Sequence, residues 1–320
     1  MLLIVASILV LMFLNLVLGS VSIPLKSVWN IICGLGDEPV TWQNIVWKSR
    51  LPQALTALVA GAGLAISGLQ MQTVFRNPLA GPSVLGISSG ASMGVAFVVL
   101  LSGNLGGVAL SKLGFMGEIA LSIAAVIGSL SVMALIVYVS QKVKGNVTLL
   151  IIGVMIGYVA NAVIGVLKFF SVEEDIRAYV IWGLGSFSRV SGNQMMLFVV
   201  IMAILIPLSF LLIKTLNLML LGDGYARNLG LNIKRARLLV ITSAGVLTAI
   251  VTAYCGPVIF LGLAVPHLCR AIFQTSDHRV LMPAVLFAGA ALALACNLIA
   301  RMPGFEGALP VNSVTALVGA

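Results

Sequence analysis

The densest group of charged side chains in the sequence lies at residues 216–237, LNLMLLGDGYARNLGLNIKRAR. In a chain that is only 8% charged, this segment carries Asp223, Arg227, Lys234, Arg235 and Arg237. Asp223 is suited to cap the N-terminus of a helix, and Gly230 is suited to end that helix about two turns later. We therefore predict a short capped helix on a polar loop, with charges suited to binding another protein.

Residue patterns that perform catalysis or hold a metal are scarce. The sequence contains no HExxH, GxSxG or pair of intramembrane acids, and His267 has only Cys269 as a nearby soft ligand. We expect His267 to be a hydrogen-bonded core residue and His278, in SDHR, to lie in a loop. It also contains no GxxxxGK[ST] loop, so the chain cannot cradle the phosphates of a nucleotide. We predict no catalytic residue, no metal site and no bound cofactor, and we expect any ATP to be used by a partner ATPase.

The composition places these residues in a membrane. Apolar residues make up 60% of the 320 positions, whereas soluble domains contain about 45 to 50%. Apolar runs of about 20 residues recur, and helices satisfy their backbone groups in lipid. The sequence predicts an all-α polytopic membrane protein with helices at residues 2–19, 51–72, 83–102, 116–140, 148–170, 193–214, 238–255, 258–273 and 280–299.

A tenth helix begins near Val311, and ten remaining residues are too few to cross a bilayer. We therefore expect the chain to stop short of its natural end, with the tenth helix truncated. The expected organisation is one transmembrane domain over residues 1–320, with a cytoplasmic loop at about 216–237.

The basic residues indicate an orientation. With a cytoplasmic amino terminus, ten basic residues lie inside (Arg76, Lys142, Lys144, Lys214, Arg227, Lys234, Arg235, Arg237, Arg270 and Arg279) and eight lie outside (Lys26, Lys48, Arg50, Lys112, Lys168, Arg177, Arg189 and Arg301). The outer segments are long, so basic density favours this orientation. The bases have no interleaved aromatic residues, so topology explains the net charge of +9 better than nucleic-acid binding does.

Small and polar residues recur at helical spacing in two of the predicted helices. Helix 5 places Gly153, Gly157, Asn161 and Gly165 four residues apart, which predicts that they share one face. Helix 3 carries Ser88 and Ser89 beside Gly86, Gly90 and Gly94. Such residues allow close helix packing, and an intramembrane amide faces a bundle or a cavity. Two interpretations remain open, namely helix packing and the lining of a transport pathway.

Two loops have similar sequences, GPSVLG at residues 81–86 and GPVIFLG at 256–262. Because helices 2 and 7 run in opposite directions, the similarity predicts an inverted repeat that relates helices 2–5 to helices 7–10. On the outer side, Arg50 and Arg301 flank helices 2 and 9 against the positive-inside rule. They could dock an acidic soluble protein or anchor the helix ends at the interface.

Several segments together resemble the FecCD-type permeases, the membrane subunits of binding-protein-dependent ABC importers for iron-siderophores, haem and vitamin B12. The segments are RLP at 50–52, FRNPLA at 75–80, LGISSGA at 85–91, the island from GD at 222–223 through LG at 229–230, FLGLAVPHLCR at 260–270 and DHR at 277–279. The resemblance runs from about residue 50 to the end of the chain in one order.

The resemblance implies a ten-helix permease bundle that forms a homodimer, with two cytoplasmic ATP-binding subunits inside and a substrate-binding protein outside, either periplasmic or anchored to lipid. It implies an ATPase-coupling helix whose residues include Gly222, Asp223, Tyr225, Ala226, Arg227, Leu229 and Gly230. It also implies an inner gate at Asn77, Leu79, Asn146 and Val147, and binding-protein docking at Arg50 and Arg301. Gln53 stands where the family often has a further docking arginine.

The sequence therefore predicts a permease subunit of the cytoplasmic (inner) membrane that takes up an iron-siderophore, haem or vitamin B12. The chain is a conduit and not an enzyme in this interpretation. The alternative is an ion-gradient-driven secondary transporter, although the predicted spans hold few ionisable groups for coupling to an ion.

Overall fold

A computed structural model describes residues 1–35, 38–102, 115–143, 145–190, 192–302 and 309–319, and these ranges are helical without strands. The helices are α1 Leu2–Val17, α2 Leu25–Cys33, α3 Val40–Ile45, α4 Leu51–Phe75, α5 Ile87–Ser102, α6 Phe115–Lys142, α7 Asn146–Phe169, α8 Glu173–Gly183, α9 Gly192–Phe210, α10 Ile213–Leu220, α11 Asp223–Asn228, α12 Ile233–Cys255, α13 Leu261–Phe273, α14 His278–Ala300 and α15 Val311–Gly319. The predicted all-α class is confirmed.

The ten predicted membrane helices correspond in order to α1, α4, α5, α6, α7, α9, α12, α13, α14 and α15. Among the described residues, five helices are long and apolar enough to cross a membrane, namely α4, α6, α7, α12 and α14. Helix α4 is the C-terminal part of a continuous helical segment, Val40–Phe75. The long segments that were predicted to lie outside also contain α2, α3 and α8, which were not predicted.

The sixth predicted helix was wrong as an unbroken span over residues 193–214. In the structure α9 ends at Phe210, and the chain bends by 46° into α10. The backbone tightens at the bend, where the N–H groups of Leu211 and Leu212 donate to carbonyls only three residues back. This turn carries α10 into the segment that the sequence analysis treated as a polar loop.

The connections before α5 and α13 enter the interior of the bundle, so both helices begin inside it. Pro82–Leu85 forms a 3-10 turn, and Gly86 ends it with φ +74. A Cβ added to Gly262 would lie 2.7 Å from Cδ of Pro82 and 3.0 Å from the carbonyl oxygen of Leu64, which is in the middle of α4. The two similar loops therefore meet deep inside the bundle, and the inverted repeat itself stays a prediction.

The helix α4 lies at the centre of the bundle and is buried along most of its length. Glycines bring its neighbours close, since Gly61 packs on the backbone of Gly289 in α14 and Gly68 packs on the carbonyl of Gly262. Nearby, a Cβ on Gly90 of α5 would lie 2.6 Å from the carbonyl oxygen of Gly128 in α6. Close backbone approach at small residues is how helices associate within a membrane.

Three buried amides join α1, α4 and α14 inside the bundle. Asn297 Nδ2 donates to Asn15 Oδ1 at 2.8 Å, and Gln53 Nε2 donates to Asn297 Oδ1 at 3.1 Å. Asn15 Nδ2 in turn donates to the carbonyl oxygen of Leu294 at 3.0 Å. Because lipid offers no hydrogen bonds, these amides satisfy one another and fix the position of α1.

Candidate functional site

The short helix α11 has the backbone that its sequence predicts at its C-terminal end. Gly230 adopts φ +84 and its N–H donates to the carbonyl of Arg227, while Leu231 N–H donates to the carbonyl of Ala226, both at 2.9 Å. This pair of bonds is a Schellman motif, which requires a residue in the left-handed region. Gly222 begins the helix with φ +98, a conformation that also favours glycine.

The predicted N-cap was wrong by one residue, since Gly222 precedes the helix and Asp223 is its first helical residue. The carboxylate of Asp223 does not cap the helix but binds arginines from other elements. Arg76 Nη2 donates to Asp223 Oδ1 at 2.5 Å, and Arg237 Nη2 lies 3.8 Å from Asp223 Oδ2. Because Arg76 follows α4 and Arg237 belongs to α12, the pairs connect α11 to both helices.

The two sides of α11 differ in burial. Ala226 is fully buried against the bundle, whereas Tyr225 is 73% and Leu229 61% exposed. Arg227 is also exposed. An aromatic and an aliphatic side chain held outward beside an arginine form the type of patch that protein partners bind.

The predicted inner-gate residues lie at the same end of the bundle as α11. Asn77 Oδ1 accepts the N–H of Leu79 at 2.9 Å, which holds the loop after α4 in a turn. Leu79 is 71% and Val147 68% exposed. The side chain of Asn146 lies outside the described residues. The gate role itself stays a prediction.

The four small residues of α7 do not share one face. Gly153 is packed, since a Cβ added there would lie only 2.9 Å from Cα of Leu85, whereas Asn161 is exposed and Gly165 has no atom within 4 Å of such a Cβ. Each step of four residues rotates about 40° around a helix of 3.6 residues per turn. The series therefore turns from a packed face at Gly153, through Gly157, to an open face at Gly165.

The two serines of α5 are also placed differently from each other. Ser88 is buried, with its Oγ 3.5 Å from Oγ1 of Thr252 in α12. Ser89 is partly exposed, and its Oγ would lie 3.5 Å from a Cβ added to Gly157. In this conformation Ser88 serves packing between helices, while Ser89 belongs to the border between α5 and the exposed side of α7.

The two outer arginines lie together at the opposite end of the bundle, both beside Gly19. Arg50 is 1% exposed, and its guanidinium donates to the carbonyls of Leu16, Val17 and Val21. Burial and the charge of Arg50 lower the pKa of Arg301 to about 10, and Nη1 of Arg301 is buried without a hydrogen-bond partner. Arg50 thus anchors the end of α1 through Nη1 and Nη2. Nε of Arg50, like Nη1 of Arg301, is buried without a hydrogen-bond partner.

One buried polar cluster near α11 was missed by the sequence analysis, which treated His278 as a loop residue. His278 is 1% exposed, with Nε2 2.8 Å from Oγ1 of Thr73 and Nδ1 2.8 Å from Oδ1 of Asn217. Asn217 also donates to the carboxylate of Asp277, the N-cap of α14. The cluster joins α4, α10 and α14, and the DHR triplet with its capping aspartate was the signal for it.

Hydrogen bonds also determine the ionisation of Asp277, which is exposed. The backbone N–H of Arg279 and the side chain of Asn217 stabilise the carboxylate and lower the pKa of Asp277. His267, expected to be a hydrogen-bonded core residue, is instead exposed. Over the described part of the chain, no group of three or more His, Cys, Asp and Glu side chains is arranged to hold a metal ion.

The structure is a bundle of apolar helices with an exposed, charge-paired helix at one end, and the comparisons identify its family. The model of the FecCD transport family matches residues 7–320. The chain belongs to this family and is an ABC importer permease.

Two similar proteins are 34–35% identical to the chain. A vitamin B12 import system permease protein, BtuC of Klebsiella pneumoniae, is 35% identical over 278 residues, which cover 87% of this chain and 80% of that protein. The hemin transport system permease protein HmuU of Yersinia pestis is 34% identical over 307 residues, covering 94% and 87%. A solved structure of a metal-chelate type ABC transporter in an inward-facing conformation superposes with a TM-score of 0.84 at 27% identity, covering 99% of this chain and 94% of that one.

Proposed function

We propose that the chain takes up an iron-siderophore, haem or vitamin B12 across the cytoplasmic membrane, with energy supplied by a separate ATP-binding subunit. The observation that carries the proposal is the exposed side of α11, where Tyr225 and Leu229 point away from the bundle while Ala226 holds the helix against it. In the proposed assembly these two side chains insert into a groove of the ATP-binding subunit. Arg227 supplies a charge at the border of this contact.

The ion pairs of Asp223 connect the contact with the ATP-binding subunit to the membrane helices. Movement of α11 is passed to α4 through Arg76 and to α12 through Arg237. The loop that follows Arg76 carries Asn77 and Leu79, the proposed gate residues. ATP binding and hydrolysis in the partner therefore move the gate loop together with α11, and the pathway opens alternately to each side.

A homodimer provides the pathway in this proposal. Of the five long spans, α7 is the least buried within the chain, and its exposed apolar side chains include Ile151, Met155, Tyr158 and Val159. An exposed apolar face of this length fits lipid or a second copy of the chain. We assign the part around Asn161 and Gly165 to the pathway between two copies, because an intramembrane amide is unfavourable against lipid.

A substrate-binding protein, periplasmic or lipid-anchored, docks at the opposite end. Arg301 has a half-buried guanidinium with an unpartnered Nη1, so a carboxylate from a soluble protein would complete its hydrogen bonds. Arg50 supports this site by repelling further positive charge and by holding Gly19 beside Arg301. The similar proteins carry vitamin B12 and hemin by their names, which restricts the proposed substrates to large metal chelates.

The test is uptake into proteoliposomes that contain the permease with its ATP-binding subunit and are supplied with a loaded binding protein. We expect accumulation of a ferric siderophore, haem or vitamin B12 only when ATP is present on the side of the ATP-binding subunit. Uptake that needs no ATP and is abolished by an ionophore would instead establish the ion-gradient-driven secondary transporter.

A further inference from the structure

Two adjoining cavities of about 350 and 460 Å³ lie where the C-terminal end of α6 meets the N-terminal end of α12. We call them together the basic pocket. Among the described residues that line it, five are cationic and one is acidic: Lys142, Arg227, Lys234, Arg235, Arg237 and Asp223. This excess of positive charge is concentrated in a concave site, which favours an anionic ligand.

The single carboxylate of the basic pocket is already occupied, because Asp223 receives a hydrogen bond from Arg76 at 2.5 Å. Arg237 is 8% exposed, and its Nε is buried without a hydrogen-bond partner. The distance of 3.8 Å from Arg237 Nη2 to Asp223 leaves the guanidinium weakly paired. A buried donor in this state needs an acceptor, and the pocket that it lines provides space for one.

The backbone adds to the attraction for an anion. Helix α12 is 23 residues long and has no acidic residue in its first turn. Its cap, Asn232, accepts the N–H of Arg235 at 3.1 Å and also lines the pocket. The positive end of the helix dipole therefore adds to the side-chain charges at the position where the pocket opens.

Apolar side chains beside the basic pocket indicate that the anion is attached to lipid. Lys142 Nζ lies 4.7 Å from the centre of the Tyr138 ring, and Tyr138 is 56% exposed. One turn further into the membrane, Leu135 is 47% exposed on the same face of α6 and borders an apolar groove of about 460 Å³ between α6 and α7. Lys142, Tyr138 and Leu135 thus follow the order of headgroup, interface and acyl chain.

We propose that the basic pocket binds the phosphate of an anionic phospholipid from the cytoplasmic leaflet, with an acyl chain along the Leu135 face of α6. This assignment rests on the orientation given under the proposed function. Basic pockets between membrane helices at the cytoplasmic surface suit such headgroups. The lipid contacts α6, α11 and α12 together, so it stabilises the position of the coupling helix relative to the bundle.

The test is native mass spectrometry of the purified, delipidated chain titrated with phosphatidylglycerol or phosphatidylcholine. We expect the wild-type chain to bind phosphatidylglycerol more tightly. The double variant Lys142→Gln/Lys234→Gln should lose roughly 25-fold of that affinity, since each basic residue near an anionic lipid contributes about fivefold. Both side chains are exposed, so the variant should fold normally.

The matched control is Lys214→Gln/Arg279→Gln, which removes two exposed positive charges from the same end of the bundle but outside the basic pocket. The proposal requires this control to keep the wild-type affinity and requires excess inorganic phosphate to leave the lipid bound. Equal losses in both variants would show only a general surface charge, and displacement by phosphate would show a soluble ligand. If the Lys142→Gln/Lys234→Gln variant bound the lipid as the wild type does but no longer bound the ATP-binding subunit, the pocket would be a protein interface. Each of these three results would overturn the proposal, whereas failed ATP-driven uptake alone would count only against the proposed function.

Discussion

Arg76 and Asp223 lie 147 residues apart in the sequence, yet Nη2 of the first donates to Oδ1 of the second at 2.5 Å. Both side chains are about two-fifths exposed, at 43% and 41%. An exposed ion pair contributes about 0 to 1 kcal/mol to stability because water screens it. The pair is therefore too weak to hold the fold, and its value lies in connecting α11 with the loop that follows α4.

Replacing Asp223 with Asn should separate stability from coupling. We expect the apparent unfolding midpoint to change little, while ATP-driven uptake falls roughly tenfold or more, within the range typical of coupling energies between sites. The measurement is uptake and ATP hydrolysis in the same proteoliposomes. Lys214→Gln serves as the control with one exposed charge removed at the same end of the bundle, and equal uptake in the two variants would contradict the coupling role.

The crossing of α4 and α13 should tolerate no side chain at Gly68. A Cβ there would collide with the carbonyl of Gly262, which is backbone and cannot rotate away. Gly68→Ala should destabilise the chain by about 3 kcal/mol or more, the upper range for overpacking. Gly165→Ala, in open space on α7, should be neutral or slightly stabilising. Thermal unfolding in detergent compares the two, and similar midpoints would show that the crossing is not tightly packed.

Replacing the two histidines with alanine should change the stability by very different amounts. His278→Ala removes both side-chain hydrogen bonds of a ring that is 1% exposed, so Thr73 Oγ1 and Asn217 Oδ1 each lose one buried partner. We expect a loss of about 2 kcal/mol or more, because unsatisfied buried polar groups are costly. His267→Ala changes an exposed side chain and should shift the midpoint little. If His278→Ala were as stable as the wild type, the prediction would be contradicted, and the ring of His278 would have to be in contact with water in the wild type.

Arg301 should be unfavourable for the isolated permease and favourable for docking. Burial and Arg50 lower its pKa to about 10 from an ordinary value of 12.5, so the folded state disfavours the charged form. The resulting destabilisation of the folded chain is fully present below pH 10. It decreases as the pH rises through the pKa that Arg301 has in the folded state. Arg301→Gln should therefore raise the unfolding midpoint at pH 7 and weaken docking of the binding protein. Docking measured at two salt concentrations provides the check, and equal affinities for wild type and variant would make Arg301 an anchor only.

Much of the fold could be predicted because apolar periodicity and turn residues are local signals. The ten predicted helices have counterparts in the structure, and the Schellman end of α11 at Gly230 is encoded within one turn. The bend after Phe210 was missed, although Pro207 in the apolar run over residues 193–214 is a local signal for a kink or a break in a helix.

The site divides similarly into local and long-range parts. The short helix that carries Tyr225 and Leu229 could be predicted from its own segment, through Gly230 at its C-terminal end. The partners of Asp223 could not, because Arg76 and Arg237 reach it only when α4 and α12 pack antiparallel. The burial of Arg50 is likewise a long-range outcome, since its hydrogen-bond acceptors are carbonyls near the end of α1. Spacing alone also placed Gly153 and Gly165 on one face, although the helix rotates between them.

The assignment of α11 as the coupling helix is tested most directly by a disulfide crosslink between α11 and the ATP-binding subunit. The background is Cys33→Ser, since Cys33 is the exposed native cysteine among the four, and the probe is Tyr225→Cys on the exposed side of α11. We predict a crosslink to single cysteines in a groove of the ATP-binding subunit, with a yield that changes on ATP addition, and none from a cysteine placed at Lys26, at the other end of the bundle. A crosslink of equal yield from both positions, or none from Tyr225→Cys in a complex that still transports, would contradict the assignment of α11 as the coupling helix.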